Sequence, residues 1–151
     1  MSISKASLLK WRQSRGNDSI RETHCGKTTF RWGERTYVMG IINVSPDSFS
    51  GDGLNDISKA LSQARDFVSE GVDIIDVGGE STRPGSKPIT INEELNRVIP
   101  VIERLAAEIA VPVSVDTYKL EVACHALDAG AQMLNDIWGL KLEPKLANLV
   151  I

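Results

Sequence analysis

An α/β fold of parallel βα units is what this sequence predicts. Four short apolar runs, YVMGIIN, VDIIDV, VPVSVD and AQMLND, recur along the chain, and segments with apolar residues at helical spacing separate them. The runs read as nearly continuous apolar stretches, the pattern of parallel strands covered on both faces. Strand and helix in regular alternation imply a parallel sheet joined by right-handed crossovers.

Residues 1–25 carry charge, serine and a short amphipathic pattern (Ile3, Leu8, Leu9, Trp11), and read as a peripheral leader to a domain over 26–151. A weak hairpin is expected through TTFRW and RTYV, turning at Gly33 and Glu34. From Tyr37 the pattern becomes strict, with YVMGIIN as the first buried strand. A loop rich in Gly, Pro, Ser and Asp leads to a helix whose apolar face is Ile57, Ala60, Leu61, Ala64, Phe67 and Val68, and Gly71 sits where a left-handed cap belongs. After VDIIDV, Thr90 and Glu93 have capping-box spacing, and Leu95, Val98, Ile99, Ile102, Leu105, Ala106 and Ile109 mark the buried face of the second helix. Pro100 has no N–H to give and is expected to kink that helix. VPVSVD then feeds a short helix carrying Val122, Ala123, Ala126 and Leu127, which stops at Gly130 before AQMLND. A polar turn and the start of a further helix, from about Glu143, complete the chain. A closed eight-stranded barrel typically takes about 250 residues. Four strands fit an open sheet as well, so periodicity leaves closure undecided.

With 151 residues, 42% of them hydrophobic, the chain is large enough for one domain with a real core. Its formal net charge is −3, and its Lys and Arg are scattered rather than striped, so a nucleic-acid partner is not expected. The N-terminus lacks the apolar core of a signal peptide, and no run approaches the roughly 18 apolar residues of a membrane span. A cytoplasmic location without membrane contact is the expectation. Cys25 and Cys124 fit neither a metal spacing nor a disulfide framework and are expected to be reduced and structural. His24 and His125 are isolated.

Polar residues gather at the carboxyl ends of the strands, where sites collect in this architecture. Asn43 ends the first, followed by VSPDSFSGDG. Its side-chain carbonyl suits a hard cation such as Mg²⁺, although Asn is also a common turn former. The loop after it, with Phe49 as its one apolar contact and Asp52 among its turn formers, fits either a closing flap or a surface turn. The second cluster is the loop GGESTRPGS, Gly78 to Ser86. Its glycines allow close backbone approach, Thr82 offers a hydroxyl, and Arg83 a planar charged fork suited to phosphate or carboxylate. Asp116 and Asn135 end successive strands and could hydrogen-bond a heterocycle, or could cap the helices that follow.

Together these clusters resemble dihydropteroate synthase. VMGIINVSPDSFSGDG, DIIDVGGESTRPGS, EELNRVIPVIERL, VPVSVDTYK and GAQMLNDIWGL stand in that family's order over about Val38 to Leu140, although SFSGDG replaces the SFSDGG of some members. The resemblance implies the first four units of a TIM (β/α)₈ barrel. It implies condensation of 6-hydroxymethyl-7,8-dihydropterin diphosphate with 4-aminobenzoate, giving dihydropteroate and diphosphate. Asn43 would then meet Mg²⁺ and the diphosphate, and Thr82 the diphosphate. Arg83 and Pro84 would line the aminobenzoate pocket, which Phe49 and Asp52 would close. Asp116, Asn135 and Ile137 would hold the pterin.

No protein nucleophile is required by this chemistry, since diphosphate leaves from a carbon that the electron-rich pterin supports, and the amine attacks neutral. The family draws a further acid, a lysine and an arginine/histidine pair from strands five to eight, which this chain does not contain. The 151 residues alone are therefore expected to be inactive, and the full-length protein to be a homodimer. Two other readings stand beside this one. The first is a methyltransferase passing a methyl group from a tetrahydrofolate to a corrinoid on a related barrel. The second is a non-catalytic half-barrel that binds a partner.

Overall fold

The structure is a computed structural model, and it describes residues 21–44, 53–81 and 85–149. A two-stranded antiparallel hairpin, β1 (Arg21–Cys25) and β2 (Thr28–Trp32), precedes four parallel strands. These are β3 (Met39–Asn43), β4 (Ile74–Gly78), β5 (Val113–Asp116) and β6 (Met133–Asn135), adjacent in chain order. Helices α1 (Gly53–Ser69), α2 (Ile91–Glu108) and α3 (Leu120–Asp128) make the crossovers. The sequential order is that of a winding (β/α) barrel, and among the described residues the sheet is open at β3 and β6.

Period-two alternation gives the sheet two distinct faces. Ile42, Ile75, Val77, Val113 and Val115 point to the helices and are buried with Ala60, Leu61 and Ala64 of α1, Val98, Ile102 and Leu105 of α2, and Val122 and Ala126 of α3. The other face carries Ile41, 56% exposed, together with the polar Asp76 and Ser114. Full burial along the whole length therefore holds for β4, whereas β3 at the edge alternates.

Local signals in the sequence act as expected at the helix ends. Thr90 and Glu93 form a reciprocal capping box, the Thr90 hydroxyl accepting from the Glu93 N–H and the Glu93 carboxylate from the Thr90 N–H. Gly71 and Gly130 adopt left-handed φ values of +91° and +109°. Each closes a Schellman motif: Val72 N–H bonds Phe67 C=O, and Ala131 N–H bonds Ala126 C=O. Helix α2 runs through Pro100 as one element. Its buried stripe on both sides, Val98, Val101, Ile102 and Leu105, holds the helix against the sheet where a bond is missing. The final segment from Glu143 is a short 3₁₀ turn, Pro144–Leu149, pinned by buried Leu146.

The hairpin departs from expectation in register and place. TTFRW pairs with the preceding RETHC, turning at Gly26 and Lys27, so residues 21–25 belong to a strand rather than to a peripheral leader. Gly26 at φ +59° supplies the tight turn. Pairing this way puts Cys25 and Phe30 on one face, where they are buried against Ile74, Met39 and Met133. RTYV is then free to fold back, and Tyr37 meets Phe30 edge-on at 5.1 Å while its hydroxyl accepts the Arg31 N–H. The hairpin thus seals the amino-terminal end of the sheet. Both cysteines are free; burial raises the Cys25 thiol above its ordinary value, and it donates to the Gln132 carbonyl.

Candidate functional site at the carboxyl ends of the strands

Strand register sets four residues side by side at the opposite end of the sheet. Asn43 pairs with Gly78, Gly78 with Asp116, and Asp116 with Asn135, so all four end their strands at one level and face one side. Gly78 leaves a gap in this row. A Cβ there would lie 3.6 Å from Asp116 Oδ2 and 3.7 Å from Asn43 Oδ1, so the neighbouring polar groups flank the bare backbone.

One layer deeper on the same face stands Asp76, only 2% exposed. Its Oδ2 accepts a 3.0 Å hydrogen bond from Asn135 Nδ2. Asp76 Oδ1 and the Ser114 hydroxyl, its register neighbour, are buried and have no hydrogen-bond partner among the described residues. Unpaired buried oxygens cost free energy, so this layer holds acceptor capacity in reserve. Burial, and then the carboxylates of Asp76, Glu94, Asp136 and Glu80, push the Asp116 carboxyl up to about 6. An acid held near neutrality in a row with an amide is suited to a ligand edge rich in N–H donors. The capping alternative does not describe these residues. The N-cap of helix α3 is Lys119, with no side-chain cap, and the Asn135 amide is turned inward to Asp76.

The loop after β4 is held from outside the row. Gly79 packs so closely on α2 that a Cβ would come within 2.7 Å of Val98 Cγ1, and Arg97 donates to the Gly79 carbonyl at 2.9 Å. The Ser86 hydroxyl donates to the Ser81 carbonyl. Glu80 accepts from Tyr118 Oη at 3.0 Å and from the Ile89 N–H at 3.2 Å. Lys119 Nζ lies 2.6 Å from both Glu80 Oε2 and Glu94 Oε2. Burial works against the Glu80 charge, but the bonds from Lys119, Ile89 and Tyr118 outweigh it and hold its carboxyl below the usual range.

A model of the pterin-binding enzymes matches residues 39–151, three quarters of the chain and all of the parallel sheet. The chain belongs to the pterin-binding enzyme family. Among its relatives, the dihydropteroate synthase of Bacillus subtilis is 50% identical over 133 residues, covering 87% of this chain and 47% of that protein. The Synechocystis enzyme of the same name is 52% identical over 122 residues, 80% of this chain and 42% of its own length. The dihydropteroate synthase of Clostridium difficile, solved in the presence of pteroic acid, superposes with a TM-score of 0.76 at 52% identity, over 80% of this chain and 46% of that one. The Xanthomonas albilineans enzyme with 4-aminobenzoic acid gives 0.76 at 45% identity, over 85% of this chain and 48% of that one. The chain spans about half the length of the relatives it matches.

Of the residues singled out from sequence, Asn43, Asp116 and Asn135 come together in the terminal row of the parallel sheet. Ile137 lies two residues beyond it in a turn and is 53% exposed. Thr82, Arg83 and Pro84, and Phe49 and Asp52 of the preceding loop, lie outside the described residues. Sequence reasoning passed over Asp76 and the Lys119 cluster. Two signals could have found them: an acid inside an apolar strand, and Glu94 at helical spacing with Val98, Val101 and Leu105 on the apolar stripe of α2.

Proposed function

We propose that this chain forms the pterin and diphosphate wall of a dihydropteroate synthase, which joins 6-hydroxymethyl-7,8-dihydropterin diphosphate to 4-aminobenzoate and releases diphosphate. The observation that carries this reading is the in-register row of Asn43, Gly78, Asp116 and Asn135. Asp116 and Asn135 accept and donate to the pterin ring, with Ile137 beside them. The gap at Gly78 lets the ligand lie against the backbone, and Asn43 faces the diphosphate.

A divalent cation fits this end of the row. Asn43 supplies one oxygen donor, and Mg²⁺ commonly takes only one or two protein ligands, completing its shell with water and substrate phosphates. Bound there, it would neutralise charge on the departing diphosphate. Thr82 binds the same group, Arg83 and Pro84 line the aminobenzoate pocket, and Phe49 and Asp52 close it. The same reading places the full-length protein in the cytoplasm as a homodimer. Among the described residues no helix is long and apolar enough to cross a membrane.

The reading is tested by transplanting residues 39–151 into the matching segment of the Bacillus subtilis relative. The folded chimera is expected to form dihydropteroate and diphosphate from the two substrates with Mg²⁺, whereas the 151-residue chain alone forms none. A folded chimera without turnover, or turnover by the chain alone, would overturn it.

A further inference from the structure

Lys119 stands three residues after Asp116 and directs its ammonium away from the row, between the loop after β4 and helix α2. An ammonium has three hydrogens to donate. All three are placed: on Glu80 Oε2 at 2.6 Å, on Glu94 Oε2 at 2.6 Å and on the Ile89 carbonyl at 2.9 Å. The side chains are 11%, 10% and 1% exposed for Lys119, Glu80 and Glu94, so water competes little for these bonds. Glu80 also accepts the Ile89 N–H, so a single cation clasps Glu80 and Ile89 together. Tyr118, the residue before Lys119, adds a third bond to Glu80. The backbone on the other side is fixed as well, since Lys119 N–H donates to Thr117 Oγ1 and Thr117 N–H donates to the Asn135 carbonyl.

We propose that Lys119 is a positioning residue which sets Glu80 and Ile89, on the loop after β4, relative to Asp116 and Asn135, so that the anion-binding and pterin-binding parts of the site share one frame. Lys119 itself touches no substrate. Burial disfavours its charge, yet Glu80 and Glu94 keep it protonated above its ordinary value, so the clasp is closed throughout the neutral range. Two carboxylates against one ammonium leave the cluster net negative. Loss of Lys119 alone would strand both buried acids.

The proposal rests on the function above for its ligands, but not for its first measurement. Backbone hydrogen exchange in the 151-residue chain is compared for Lys119→Met and for the triple variant Lys119→Met/Glu80→Gln/Glu94→Gln, which removes the stranded charges. Exchange over 80–89 is expected to quicken by about tenfold or more in both, with the β1–β2 hairpin unchanged. In the chimera, the triple variant is expected to bind inorganic diphosphate about tenfold more weakly while a pterin lacking the diphosphate binds within about twofold of the parent. Lys119→Arg should recover part of the difference. Uniform acceleration of exchange, or equal loss of both ligands, would reduce Lys119 to a general stabiliser and overturn the proposal. If the chimera makes no dihydropteroate yet the exchange change is confined to 80–89, the clasp stands and the enzymatic reading falls.

Discussion

Asp116→Asn is expected to make the protein more stable at neutral pH and, in the chimera, to weaken pterin binding by about 10–100-fold through loss of a charge-assisted hydrogen bond. The stability gain follows from the carboxyl's upward displacement to about 6 from an ordinary 3.8, caused first by burial and then by the neighbouring acids. The folded protein binds this proton more tightly than the unfolded chain does. Stability from this group is therefore greatest below the unfolded value and falls as pH rises through the folded one. Partial exposure reduces the full linkage to about 1–2 kcal/mol. Asn carries no such dependence. Urea unfolding at about pH 4 should find parent and variant nearly equal, and at about pH 7.5 the variant ahead by that amount. A difference of the same size at both pH values would mean that the substitution acts through packing instead.

Gly130→Ala is expected to destabilise by about 2–4 kcal/mol, because it joins left-handed strain to a steric overlap. Gly130 holds φ +109°, and a Cβ there would come within 2.7 Å of the Ala106 Cβ on α2. Neither atom is the end of a flexible side chain, so the α2–α3 contact must open. Gly71 is the internal comparison. It closes the same Schellman motif on α1 at φ +91°, but a Cβ there would meet nothing within 4 Å. Gly71→Ala should cost only the backbone strain, about 1–2 kcal/mol. Chemical denaturation of the two variants separates the terms, and equal losses would show that the α2–α3 contact yields freely.

The helices, their caps and the parallel strands were legible because each is encoded over a few neighbouring residues. Thr90 with Glu93, Gly71 and Gly130 are local signals, and the structure uses all of them. The hairpin's register is not legible in the sequence because its competing registers have similar local credentials. Gly26 and Gly33 both offer a turn, and what decides is burial of Phe30 and Cys25 against Ile74, a strand distant in sequence. The site divides in the same way. Asn43, Asp116 and Asn135 could be found because each ends an apolar run. Asp76 was hidden within one, and its partnership with Asn135 spans 59 positions. The Lys119 clasp spans 25 to 39 positions, and its three acceptors meet the ammonium only once the α2 crossover has formed.

Register turns the terminal row into a ruler. Parallel strands lie about 4.8 Å apart, so the three steps from Asn43 to Asn135 measure about 14 Å, with the bare backbone of Gly78 a third of the way along. A surface graduated this way discriminates by length and polarity of orientation: an elongated ligand with its donor-rich ring at one end and its anion at the other can engage every mark at once. A compact anion or a lone ring engages one end and leaves the other wet. Two weak fragments, one for each end, would therefore gain from being tethered across the glycine, provided the tether is flat enough to pass where no side chain stands.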